Sequence, residues 1–358
     1  MKDAKMNDRE RFLSVLNFEQ PDVFPFMEFM GFWPEVKSRW VNEGLGKSED
    51  LFKHFGLMEP KWVPINFNFV PSFEEQIIEE TEHYIILRDE VGCTKKIEKG
   101  TSAMPHYIDF PIKSRRDFQE IKERLDPFDL ARRYPANWND LVKEYKSRTY
   151  PLGLVIRGPF AFCRDFIAFE QLMMLPYDDL ELLRDMMNFQ VDFTMKLWSK
   201  VLQKVEVDFI YLGEDMAYKT GPMFSPGLLG ELAGPLYRKL SDFFKASGVS
   251  NFILDSDGCV NQLIPMYLAN GVTGILPLEI AANMDPLAIR KEFPKLQMIG
   301  GVNKLSIIDG GHLIDDEIEK VKTLVKSGGY IPSFDHSVPP MISYNNYKEY
   351  ISKLKNAI

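Results

Sequence analysis

The sequence predicts a single (β/α)8 TIM barrel over residues 1–358, carrying an inserted β-hairpin and an N-terminal covering helix. Two observations carry that reading. From Val207 onward short apolar runs alternate with amphipathic stretches at about 20 to 40 residues a beat, the rhythm of parallel strands joined by helical crossovers. The runs also stop abruptly: Phe252-Ile253-Leu254 breaks into Asp255-Ser256-Asp257-Gly258, as a doubly buried strand does where it reaches a barrel mouth.

Taken in order, Asn7 and Glu10 form a capping-box pattern ahead of Phe12, Val15 and Leu16, which share one helical face. Residues 23–28 read as the first strand, ending in Glu28, residues 34–56 as helix, and residues 62–69 as the second strand, with Asn66 and Asn68 directed to the mouth. Strand-like runs around Asp89-Glu90-Val91-Gly92 predict a hairpin insertion over about 82–110, with a short extra strand near Tyr107-Ile108. Residues 115–148 are polar and helical, broken by Pro127 and Pro135. The third strand, 152–156, ends in Arg157-Gly158-Pro159. Helices are expected at 166–175 and from Asp178 to about Lys204, the second with a Met-rich face best explained as core filler.

The fourth strand, 207–212, ends in Gly213-Glu214-Asp215, and Ser225-Pro226 caps a helix running towards Gly248 with a kink at Pro235. Strands five and six, 252–254 and 272–276, deliver Asp255, Asp257 and Glu279. Strand seven, 296–299, and strand eight, 329–333, follow, with helices starting near Pro286 and Asp315. Tyr344 and Tyr347 pack a closing helix.

At 358 residues and 45% hydrophobic content the chain can bury a large core. A net charge of -9 and a pI near 5.3 argue against nucleic acid or an anionic membrane as partner, because phosphate binding needs basic patches. Cys93, Cys163 and Cys259 are odd in number and far apart, so neither a disulfide framework nor a metal knuckle is expected. The polar start MKDAKMNDRERF does not suit a signal peptide, no run is long enough for a membrane span, and a cytoplasmic, soluble protein is the expectation. There is no G-x-G-x-x-G fingerprint and no P-loop.

In a barrel the loops after the strands build the active site, so Asp215, Asp255, Asp257, Glu279 and His336 are expected to converge there. Asp255 or Asp257 can equally cap the helix that follows, and Arg157 can hold a loop or grip a substrate carboxylate. His54, His83, His106 and His312 have no acidic strand-end neighbour and are expected to be structural.

The segments GGYIPSFDHSVPP, ILDSDG, GEDMAYKTGPMFSP and RERFLSVLNFEQPDVFPF resemble the uroporphyrinogen decarboxylase superfamily, over nearly the whole chain. The resemblance implies one TIM barrel and either of two activities: decarboxylation of a tetrapyrrole, or metal-dependent methyl transfer to a corrinoid protein. The arginine-rich R-Q-A-G-R-Y segment of the decarboxylases is replaced by Met27-Glu28-Phe29-Met30-Gly31-Phe32-Trp33-Pro34, although His336 matches their last-strand histidine. Where the methyltransferases bind zinc with a His-x-Cys pair and a later Cys, this chain has Asp255, Asp257 and His336, an oxygen-rich set competent for Zn2+ or another divalent ion.

The leading expectation is thus a metal-assisted methyltransferase moving a methyl group from a methoxylated or methylated small molecule to a corrinoid protein, as monomer or homodimer. Asp215, Glu279, His336 and Arg157 are assigned to catalysis and Glu28, Asn66, Glu214 and Lys219 to substrate. Asp255, Asp257 and His336 are assigned to the metal. A decarboxylase using Arg157 or Arg164, and a non-catalytic binding subunit, are the alternatives. For a docking rim the expectation is the hairpin around Val91 and Cys93 together with residues 219–225.

Overall fold

The structure is a computed structural model that describes residues 5–101 and 104–358. The first four residues of the polar N-terminus, and residues 102 and 103 of the predicted insertion, lie outside it.

Seven parallel strands follow the chain in order around one curled sheet. They are β1 (Lys61–Trp62), β2 (Leu152–Arg157), β3 (Phe209–Gly213), β4 (Asn251–Asp255), β5 (Gly274–Leu276), β6 (Gln297–Ile299) and β7 (Tyr330–Ile331). The central register is unbroken: Gly153 faces Phe209, which faces Asn251, and Ile253 faces Gly274. One side chain from each of β3 to β7, namely Phe209, Ile253, Leu276, Ile299 and Ile331, meets Met27 and Met58 in a buried interior cluster. Phe12, Val15 and Leu16 of the first helix, Asp8–Leu16, plug that cluster at the strands' N-terminal ends. There Gly329 N donates to Val15 O at 3.1 Å and Gln297 Nε2 to Leu16 O at 2.9 Å. The capping box is formed, with Glu10 N on Asn7 Oδ1 at 3.0 Å and Asn7 N on Glu10 Oε2 at 2.7 Å. Because the helix closes this end, polar groups gather at the other.

The ladder stops short of the expected eight strands. Residues 24–29 bond to the segments just before β1 and just after β7, through Met58 N on Phe26 O at 2.6 Å and Phe29 N on Ser333 Oγ at 3.0 Å, without a ladder of their own. Pro25 on one side and Pro332 on the other each remove a donor, so a regular ladder cannot run between them. Pro64 likewise leaves only Lys61–Trp62 of the predicted second strand.

The helix predicted over 34–56 is two, Pro34–Asn42 and Leu51–Phe55, separated by Gly44 and Gly46. That predicted at 166–175 is the helix Phe169–Asp178, which runs through Pro176, and a further helix, Pro159–Phe166, precedes it. The kink expected at Pro235 is a break between Pro226–Leu232 and Gly234–Ala246. The long helix Leu180–Leu202 buries Leu183, Met186, Met187, Val191, Leu197 and Trp198, so its methionines are core. The insertion is larger than a hairpin: Gln76–Glu80, Tyr84–Arg88, Thr94–Glu98 and His106–Asp109 form a four-stranded antiparallel sheet. Asp89 ties its turn, accepting from Cys93 N at 2.9 Å and pairing with Lys95 at 3.0 Å. No described helix is long and apolar enough to cross a membrane.

Candidate active site

Side chains alternate along β4, so Ile253 points into the interior and Asp255 points the same way at the C-terminal end. Phe209 and Tyr211 repeat this on β3. Tyr211 stacks on Phe29 at 5.9 Å with Trp62 edge-on at 5.8 Å, and it donates its hydroxyl to Oδ2 of Asp255. The rings fix the tyrosine, and the tyrosine fixes the acid. Oδ1 of Asp255 is buried without a hydrogen-bond partner. Burial, and then the nearby charge of Asp215, push this carboxyl well above the usual range, against the hydrogen bond from Tyr211. It therefore keeps a proton that an exposed aspartate would have lost.

Asp257 faces His336, with Oδ2 at 3.7 Å from Nε2, while its Oδ1 is also buried and unpartnered. Burial again raises its pKa, followed by Asp215, with His336 acting in the opposite direction and Glu279 reinforcing the rise. Backbone donors lock these loops together. Asp257 N reaches Asp215 Oδ1 at 3.1 Å, and Gly258 N reaches Glu279 Oε2 at 3.1 Å. Gly258 has φ +81, and a Cβ there would lie 2.4 Å from the carbonyl oxygen of Ala217, so only glycine fits the turn. Asp335, fully buried, accepts from Ile280 N at 3.1 Å, Lys304 N at 3.3 Å and Lys304 Nζ at 3.1 Å, and so anchors the residue that precedes His336.

A cavity of about 460 Å³ borders this cluster, walled by the inserted sheet and the helices after β2. Arg157 and Arg164 share Asp165, at 3.0 and 3.1 Å, and Arg164 also pairs with Asp215 at 3.2 Å.

The structure thus links Asp215, Asp255, Asp257, Glu279 and His336 and sets Arg157 beside them through Asp165 and Arg164. The other four assigned residues are not among those linked. Glu28 accepts from Ser333 Oγ, Phe334 N and Tyr347 Oη at 3.1, 3.0 and 3.2 Å, pinning residues 24–29 to the last strand and the closing helix Tyr344–Ala357. Glu214 accepts from Ala161 N at 2.8 Å and Tyr237 Oη at 2.6 Å, beneath the helix that begins at Pro159. Both are buried with their oxygens engaged in the fold, so neither is carried into the site. Asn66 is exposed, its Oδ1 closing a turn on Asn68 N at 2.9 Å, and Lys219 is exposed in the 217–222 hairpin. Asn68, expected at the mouth, reaches Arg157, while Tyr211 and Asp165 enter the site without having been singled out. Tyr211 carries a signal, a hydroxyl on the inward register one turn of the pleat before the strand end.

Burial drives both Glu28 and Glu214 up to about 7, despite the hydrogen bonds that oppose it. The folded protein then holds these protons more tightly than the unfolded chain, whose glutamates titrate near 4.5. The contribution of each acid to stability is accordingly highest below that value and falls as the pH rises towards 7, by on the order of 3 kcal/mol. Urea unfolding at a series of pH values should show this decline, and Glu28→Gln or Glu214→Gln should flatten it.

Asp255, Asp257 and His336 do not converge as a zinc site. Oδ2 of Asp255 is taken by Tyr211, and among the described residues no three His, Cys, Asp or Glu side chains are placed to hold one ion. The two orphaned oxygens call for a proton or a cation. The set as placed does not fit a tetrahedral zinc centre.

No protein-family model and no curated protein matches the chain. Among solved structures, a methyltransferase from Methanosarcina mazei superposes with a TM-score of 0.60 at 14% identity, covering 98% of each chain. A B12-independent methionine synthase from a Shewanella species, in complex with selenomethionine, gives 0.43 at 10% identity, covering 92% of this chain and 96% of that one. The first likeness establishes a shared α/β fold around the curled parallel sheet.

Proposed function

We propose that the protein is a methyltransferase that takes a methyl group from a methoxylated or methylated small molecule and passes it to the cobalt of a corrinoid protein. The observation that supports this reading is the pair Asp255 and Asp257, each with a buried, unpartnered oxygen and a raised pKa, at the open end of the sheet. An ether or amine gives up a methyl group poorly unless its heteroatom is protonated as the bond breaks. Asp257, partly exposed and paired with His336, is the proton donor in this scheme. Asp215 and His336 position it, and the raised pKa of Asp255 keeps a second negative charge away. The carbon–oxygen bond of the donor breaks, the electron pair of Co(I) forms the new bond to carbon, and the proton goes to the leaving oxygen.

The test follows conversion of cob(I)alamin to methylcobalamin by absorbance across methoxyaromatics, methylamines and betaines. Turnover with at least one donor is expected. Absence of methylcobalamin with every donor would remove the reading. Uroporphyrinogen is expected not to be a substrate, since residues 27–34 carry no arginine to grip its carboxylates. Formation of coproporphyrinogen under anaerobic conditions would favour the decarboxylase alternative instead.

A further inference from the structure

The cavity beside the acids differs from them in chemistry. Tyr107 and Phe110, stacked at 5.7 Å, line one wall, and Phe169 also lines it. Arg157 lies against two further rings, its guanidinium carbon 5.0 Å from the centre of Phe166 and 5.8 Å from that of Phe67. These rings hold the fork flat, the geometry in which guanidinium takes a carboxylate through two parallel bonds.

Two guanidiniums and two carboxylates meet at this cavity, but they are shared unevenly. Asp165 answers both arginines, and Arg164 has Asp215 as well, whereas among the described residues Arg157 has beyond Asp165 only Asn68 Oδ1 at a marginal 3.4 Å. Burial weighs against the charge of both guanidiniums, and the carboxylates outweigh it at Arg164 but not at Arg157. The outer nitrogens of Arg157 therefore have room for one more anion. Asp215, on the cavity wall, accepts from Asp257 N with its other oxygen, so the cavity adjoins the proposed proton donor.

We infer that this cavity binds an aromatic carboxylate, with the carboxylate on Arg157 and the ring against Tyr107, Phe110 and Phe169. Resting on the function proposed above, the methyl donor is a methoxylated aryl acid whose methoxy end points past Asp215 towards Asp257 and His336. A volume of about 460 Å³ suits a one-ring acid of this kind.

Calorimetric titration of the whole protein without cobalamin tests the inference, comparing para-methoxybenzoate with para-methoxybenzamide. The acid is expected to bind at least about tenfold more tightly than the amide, and Arg157→Gln to reduce the difference below about twofold. Should Arg157→Gln fail to fold, Asn68→Asp decides the matter: an exposed substitution that puts a carboxylate on the same guanidinium should weaken the acid by about tenfold and leave the amide unchanged. Equal affinity for acid and amide, or no binding of either, overturns the inference. Tight binding of the acid without demethylation keeps this inference and removes the methyl-transfer reading. Demethylation of uncharged donors with no preference for acids does the reverse.

Discussion

Asp257→Asn is expected to slow methyl transfer by a factor of about 100 to 10,000, the usual worth of a positioned general acid, while leaving the protein folded. Asparagine keeps the shape of aspartate and places a neutral amide where the fold already favours a neutral carboxyl, so no buried charge is created or stranded. The pH profile separates this role from a structural one. A donor with a raised pKa is protonated at low pH and loses its proton as pH rises, so wild-type kcat/KM should fall with increasing pH and the variant should lose that limb. His336→Ala should also abolish transfer with the fold intact, since His336 is the partner of Asp257 at 3.7 Å. A variant with the wild-type rate and profile would show that the proton comes from elsewhere.

The second large effect concerns stability. Gly300, directly after β6, has φ +113, and a Cβ there would meet the carbonyl oxygen of Pro277 at 1.9 Å and its carbonyl carbon at 2.7 Å. Both atoms are backbone, so no side chain can turn aside. Gly300→Ala is expected to cost more than about 4 kcal/mol, because the left-handed backbone strain and a main-chain collision add. Gly44 provides the control, with φ +110 and nothing within 4 Å of the added carbon. Gly44→Ala should cost only the strain, about 1 to 3 kcal/mol. Urea unfolding of the two variants side by side measures the difference, and equal losses would mean that the loops after β5 and β6 can separate freely. The position matters for function, since the segment Gly300 opens carries Lys304, which holds Asp335 ahead of His336.

What the sequence revealed follows from which signals are local. Strand ends such as Asp255 and Glu279 were legible because an apolar run breaking into acids is a property of neighbouring residues. The capping box at Asn7 and Glu10 was legible for the same reason. The regular eighth strand failed because Pro25 and Pro332, far apart in sequence, each remove a donor from the two segments that would have paired. The orientation of Glu28 and Glu214 was not legible because a strand-end acid can turn outward beneath a helix as readily as inward. Only their partners, Tyr347 and Ala161, reveal which way they turn. Tyr211 was missed because its meaning depends on the register between β3 and β4, which sets Tyr211 beside Ile253 and one pleat from Asp255. Arg157 was seen, but its shared counter-ion was not, since Asp165 is a helix residue with no mark of its own.

The most direct test of the account uses a methoxylated aryl acid carrying one carbon label in the methoxy group and a distinguishable one in the carboxyl group, incubated with the protein and cob(I)alamin and followed by NMR. The predicted result is that the methoxy label appears on cobalt, matched one for one by the demethylated phenol, while the carboxyl label stays on the ring. Release of the carboxyl label as carbon dioxide, with the methoxy label left in place, would contradict it.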